Sequence, residues 1–172
     1  MITTILFDNG KVLSYPRCGN WFITPNTFKL LGHRHCQLLE DSKAKLPLAV
    51  NKAYCNLMSN HLLFTEDEEI QQFSKFFKEI SDEINLGLNS IKCSVLAHDL
   101  VYNDSRLALY DDTLDTLKNL KKEFKIGILS DAWPSLRRIL ANSGISPLLD
   151  GLIISCEHNL TKEDLGLFEI AL

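Results

Sequence analysis

The 172-residue sequence contains no apolar run near the 18 or more residues that cross a bilayer. It also has no Pro/Gly-rich or low-complexity tract and no internal repeat, which sets aside linker-like, fibrous and solenoid architectures. Clustered positive charge is missing too. The net charge is −4, and the compact basic pairs are Lys121-Lys122 and Arg137-Arg138, which suit solvated helix faces. Nucleic acid and anionic membrane are therefore not the expected partners, because both select clustered Lys and Arg. The five cysteines (Cys18, Cys36, Cys55, Cys93, Cys156) are widely spaced with no Cys-x-x-Cys pair, as expected of reduced thiols. In His33-Arg34-His35-Cys36, positions i and i+2 point to different helix faces, so no metal site is expected there. Met1 leads straight into an apolar run rather than a signal peptide, and the expectation is a cytoplasmic protein.

What is present is enough apolar material for a core. Hydrophobic residues make up 45% of the chain, and a chain of this size buries roughly two-thirds of its unfolded surface. Three short β-branched or apolar runs each stop at a polar turn. Ile2 to Phe7 ends at Asp8-Asn9-Gly10, Phe124 to Leu129 ends at Ser130-Asp131, and Gly151 to Ile154 ends at Ser155. Helical patterns alternate with them. Leu114, Leu117 and Leu120 mark one helix, with Asp111 and Asp112 suited to its N-terminus. Leu136, Ile139 and Leu140 mark another, with Gly144 placed as its C-terminal cap. Strands alternating with helices predict an α/β fold with a parallel sheet.

The stretch from about Ser14 to Asn103 has a different pattern. Thr24-Pro25 can start a helix, since Pro in a first turn lacks an N–H that would be orphaned anyway. Thr65 to Glu68 has capping-box spacing, followed by a stripe of Ile70, Phe73, Phe77, Ile80 and Ile84. The expectation is three or four helices and no strand, either as an insert into the sheet domain or as a separate helical interaction module.

In open α/β sheets, ligands bind beyond the carboxyl ends of the strands. Asp8, Ser130 and Lys162 all fall in that zone by their positions after the three runs. Each also has a plain structural explanation, as a turn cap, a helix cap and a solvated lysine. Together they supply a carboxylate that can attack phosphorus, a hydroxyl that can hold a phosphoryl oxygen, and an ammonium that can offset the charge of an aspartyl-phosphate.

Ile5-Leu6-Phe7-Asp8-Asn9-Gly10-Lys11-Val12-Leu13 resembles the first motif of the haloacid dehalogenase-like (HAD) superfamily. Gly127 to Ala132 is similar to the second, and Ser155 to Leu172, with Lys162, to the third. The resemblance implies a Rossmann-like parallel core of residues 1–14 and 104–172, incomplete at its C-terminus, with a helical cap of residues 15–103. It implies Asp8 as nucleophile and Mg²⁺ ligand, with the Gly10 carbonyl as a second ligand. Ser130 would bind the phosphoryl group and Lys162 would stabilise the intermediate, with Asn9 and Asp131 beside the substrate. The implied substrate is a small phosphorylated metabolite.

Two features depart from the pattern. Gly10 stands where most phosphatases of the family carry an Asp that transfers protons. The sequence also stops at Leu172, before the acidic fourth motif that completes the Mg²⁺ site, so weakened Mg²⁺ binding is expected. An exposed first strand would then favour self-association. Three functions stand: a phosphatase working through Asp8, an inactive pseudoenzyme with a binding role, and a 2-haloacid dehalogenase.

Overall fold

The structure is a computed structural model that describes residues 2–171. In chain order its elements are β1 (Thr4–Phe7), β2 (Ser14–Pro16), α1 (Thr27–Leu31), α2 (His33–Asp41), α3 (Leu46–Met58), α4 (Glu66–Glu83) and α5 (Ser90–Tyr102). Then follow β3 (Leu107–Leu109), α6 (Thr113–Leu120), β4 (Lys125–Ser130), α7 (Ser135–Asn142), β5 (Gly151–Ile154) and α8 (Leu165–Ala171).

The three apolar runs form one parallel sheet in the order β1-β4-β5. β4 is central and buried from Ile126 to Ser130, as its unbroken apolar run requires. Phe7 pairs with Ile128 and Ser130 with Ile154, so Asp8 and Ser130 leave neighbouring strands at the same carboxyl edge. Gly127 lies against Leu6 so closely that a Cβ there would sit 2.6 Å from Leu6 Cδ2. Among the described residues β1 pairs only with β4.

The expectation of helices alone between Ser14 and Asn103 is corrected at β2, which pairs antiparallel with β3 from Ser14↔Leu109 to Pro16↔Leu107. Three residues are too few to show a period of two in the sequence, and the partner strand lies far along the chain. The stretch also carries five helices rather than three or four. The helix expected at Thr24-Pro25 begins instead at Thr27. Thr24 Oγ1 accepts the Asn26 N–H at 3.2 Å and Thr27 Oγ1 accepts the Thr24 N–H at 2.9 Å, which makes a polar turn before the helix.

The capping box at α4 forms in both halves. Thr65 Oγ1 accepts the Glu68 N–H at 3.2 Å, and Glu68 Oε2 accepts the Thr65 N–H at 2.9 Å. The buried face of α4 is rotated slightly from the expected stripe. Phe73, Phe76 and Ile80 are buried, Phe77 is only half-buried, and a carboxylate, Glu69, is fully buried. The partner of Glu69 lies outside the helical region, at Ser135.

Two apolar clusters result. One gathers Leu31, Ala53, Phe73, Phe76, Leu96 and Leu100 among the helices α1 to α5. The other gathers Leu117, Ile126, Ile128, Leu140, Ile145 and Ile154 around the sheet, and Trp133 packs against both. Polar contacts cross between them at α7. Arg138 donates to Glu66 Oε1 at 2.8 Å and to the Val101 carbonyl at 2.6 Å, and also pairs with Asp104. All five thiols are free, and burial pushes the Cys156 thiol up to about 12. Among the described residues no helix is long and apolar enough to cross a membrane.

Candidate functional site

A cavity of about 360 Å³ opens beyond the carboxyl ends of β1 and β4. Asp8, Ser130 and Lys162 all line it, together with Asn9, Gly10 and Asp131. The apolar strand β1 ends at Phe7, which delivers Asp8 to the rim with its side chain 42% exposed. Lys162 Nζ lies 2.6 Å from Asp8 Oδ1. A contact of that length fixes the direction of the carboxylate.

Lys162 is placed by its backbone as well as by its charge. Its N–H donates to Asp131 Oδ1 at 3.0 Å, tying the segment after β5 to the end of β4. Just beyond, Asp164 Oδ2 accepts the Thr161 N–H at 2.8 Å, a tight polar turn before α8. Asp131 therefore spends one oxygen on holding Lys162 in place. Asn9 is similarly occupied. Its Oδ1 accepts from Ser14 Oγ at 3.1 Å, and its carbonyl accepts the Leu13 and Ser14 N–H groups at 2.9 and 3.0 Å. The turn that follows puts Lys11 at φ 61.

Ser130 is buried at the end of the central strand. The loop after it is buttressed by a residue that the sequence did not flag. His61, between α3 and α4, places Nε2 2.7 Å from Ser155 Oγ, and Ser155 Oγ accepts the Ala132 N–H at 3.1 Å. The His61 ring also meets Trp133 edge-on at 6.0 Å. Burial pulls the His61 imidazole below its ordinary value, against an opposing pull from Asp131. A lone His in an unpatterned segment carries no sequence signal for this position.

Much of the remaining wall is aromatic. Trp21, Phe22, Tyr54 and Trp133 line the cavity, and Phe22 and Trp133 continue into the helical cluster through Phe76 at 4.8 Å and Phe73 at 5.1 Å respectively. Burial, then the negative charge of Asp131, pushes the Tyr54 hydroxyl up, so it stays protonated as a neutral donor. A Cβ added at Gly10 would stand 3.3 Å from Cζ2 of Trp21. The indole thus borders the space a side chain at position 10 would need.

Among the described residues no group of three His, Cys, Asp or Glu could hold a metal ion by itself. Asp8 and Gly10, the residues expected to hold a divalent cation, both line the cavity, as does Asp131. Mg²⁺ is commonly bound through one or two carboxylates with waters and substrate phosphate oxygens. The donor set fits an ion shared with a phosphoryl group rather than one caged by the protein.

A parallel sheet with a helical layer inserted after its first strand carries a carboxylate and a lysine in contact at the strand ends. Its fold is that of the HAD hydrolases. The chain is similar to YfnB of Bacillus subtilis, assigned to the HAD hydrolases and solved bound to magnesium, with TM-score 0.60 and 16% identity over 99% of this chain and 72% of that one. It is similar to the L-2-haloacid dehalogenase of Xanthobacter autotrophicus with chloropropionic acid covalently bound, with TM-score 0.60 and 17% identity over 99% of this chain and 64% of that one. It is similar to the HAD family enzyme bt-2542 of Bacteroides thetaiotaomicron in complex with magnesium and inorganic phosphate, with TM-score 0.58 and 16% identity over 99% of this chain and 77% of that one. No protein-family profile and no curated protein matches the sequence.

Proposed function

We propose that this chain is a HAD-like hydrolase that cleaves phosphate monoesters of small metabolites through an aspartyl-phosphate on Asp8. The observation that carries the reading is the 2.6 Å contact between Asp8 Oδ1 and Lys162 Nζ at the carboxyl edge of the sheet, inside the cavity that Ser130 also lines. Asp8 attacks phosphorus, the ester oxygen departs, and water then cleaves the acyl phosphate to release phosphate and the free carboxylate. Lys162 offsets negative charge at the nucleophile, and the Ser130 hydroxyl donates to a phosphoryl oxygen. Asp8 and the Gly10 carbonyl would hold Mg²⁺, which when bound neutralises phosphoryl charge. Gly10 has no proton to give, so the departing oxygen takes its proton from water or from the substrate itself.

The aromatic walls favour a second reading, displacement of halide from a 2-haloacid by the same Asp8 carboxylate. Hydrolysis of para-nitrophenyl phosphate with Mg²⁺ tests the first reading, and halide release from 2-chloropropionate tests the second. In either case Asp8→Asn should reduce turnover to background. Turnover that survives the substitution removes Asp8 from the role, and a wild-type protein inert in both assays leaves a ligand-binding scaffold.

A further inference from the structure

Arg106 is a buried charged residue of the cavity wall that the proposed chemistry leaves unused. It lies in the single helical turn before β3, is only 8% exposed, and lines the same cavity as Asp8 and Lys162. Its Nη2 donates to Ser135 Oγ at 3.1 Å. Its Nε is buried with no hydrogen-bond partner. A guanidinium carries five N–H donors in a fixed fork, and burying it with most of them unmade is costly.

The nearest compensation is incomplete. Glu69 is fully buried and accepts the Ser135 N–H and hydroxyl, each at 2.7 Å, so it meets Arg106 through the Ser135 oxygen and makes no direct ion pair with it. Burial pulls the Arg106 guanidinium below its ordinary value, and the field of Glu69 opposes that pull. Elsewhere on the cavity wall, Lys162 is already paired with Asp8. Lys11, Arg106 and Lys162 stand against Asp8 and Asp131, so the wall carries more positive than negative charge. Trp21 and Trp133 line the same cavity.

We propose that Arg106 forms a second anion subsite in the cavity, and that the substrate is a phosphate ester whose planar or apolar body carries a further acidic group, such as a carboxylate. The phosphoryl group sits at Asp8, Ser130 and Lys162, the body lies along the tryptophans, and the second anion completes the unfilled donors of the guanidinium. This assignment rests on the phosphoryl-site reading of Asp8. It differs from that reading in naming what the far end of the substrate must look like.

The test is calorimetric binding of phenylphosphonate and of 3- and 4-carboxyphenylphosphonate, which cannot turn over. In the wild type, at least one carboxylated probe should bind about tenfold or more tighter than phenylphosphonate, the order a charge-assisted hydrogen bond supplies. In Arg106→Gln that advantage should shrink to about twofold or less, while the affinity for phenylphosphonate itself holds. Carboxylated probes that bind no tighter than phenylphosphonate to the wild type overturn the proposal, whether or not the variant folds. If only the carboxylated probes bind, and do so through Arg106, the second subsite stands and the phosphoryl site falls. If no probe binds, both fall.

Discussion

Replacing Glu69 by Leu should strongly destabilise the protein, because two separate buried groups depend on that carboxylate. Glu69 is fully buried, and its two oxygens each accept a bond of 2.7 Å, one from the N–H and one from the hydroxyl of Ser135. Leucine of similar volume leaves the Ser135 N–H without an acceptor at a site with no water access, at about 1–3 kcal/mol. It also removes the carboxylate whose field, carried across Ser135, offsets the burial of Arg106, at a cost below the roughly 3–5 kcal/mol of breaking a directly paired buried charge. The two losses overlap through Ser135, so the expected total is about 4 kcal/mol, a large part of the roughly 5–15 kcal/mol that a domain has. Urea unfolding at pH 7, followed by circular dichroism, measures it. The double variant Glu69→Leu with Arg106→Met should cost less than the sum of the two singles, because it removes both charges together. A Glu69→Leu loss below about 1 kcal/mol, or singles that simply add, would refute the coupling between this carboxylate and Arg106.

Other expectations follow from single contacts. Lys162→Met should lower the kcat of any Asp8-dependent hydrolysis by about a hundredfold with little change in fold, since it removes one preorganised charge from the reacting centre; parallel kinetics and thermal melts check it. His61 has its imidazole pulled below the ordinary 6.5 by burial. Its contribution to stability is therefore present above that value and lost as pH falls toward the folded-state value. The advantage of wild type over His61→Asn should shrink between about pH 7 and pH 5, the range in which histidine titrates, and an advantage that grows on acidification would contradict this. Gly127→Ala should cost about 1–3 kcal/mol by overpacking, because its Cβ would meet Leu6 Cδ2 at 2.6 Å; pairing it with Leu6→Val should recover part of the loss.

Local patterns carried much of the architecture. The apolar runs that end at Asp8, Ser130 and Ser155 became three parallel strands; the central one is buried and so apolar almost throughout, and each run stops at polar residues. The Thr65–Glu68 box formed as read, since a capping box is settled within four residues. That same sheet edge brought Asp8, Ser130 and Lys162 to one cavity, with Asp8 and Lys162 in direct contact.

Contacts between distant positions left no such trace. β2 pairs with β3 only because the chain returns after five helices, and three residues are too short to announce a strand. Nothing in the local pattern of α4 marks Glu69 as buried, yet its carboxylate oxygens accept from Ser135, 66 positions away. His61 meets Ser155 across 94 positions, and Arg106 meets Ser135 across 29. Periodicity records which face of an element is apolar, and that preference is written residue by residue. Which polar side chain is buried, and against what, depends on where the helical layer comes to rest on the sheet, and only the tertiary structure decides that.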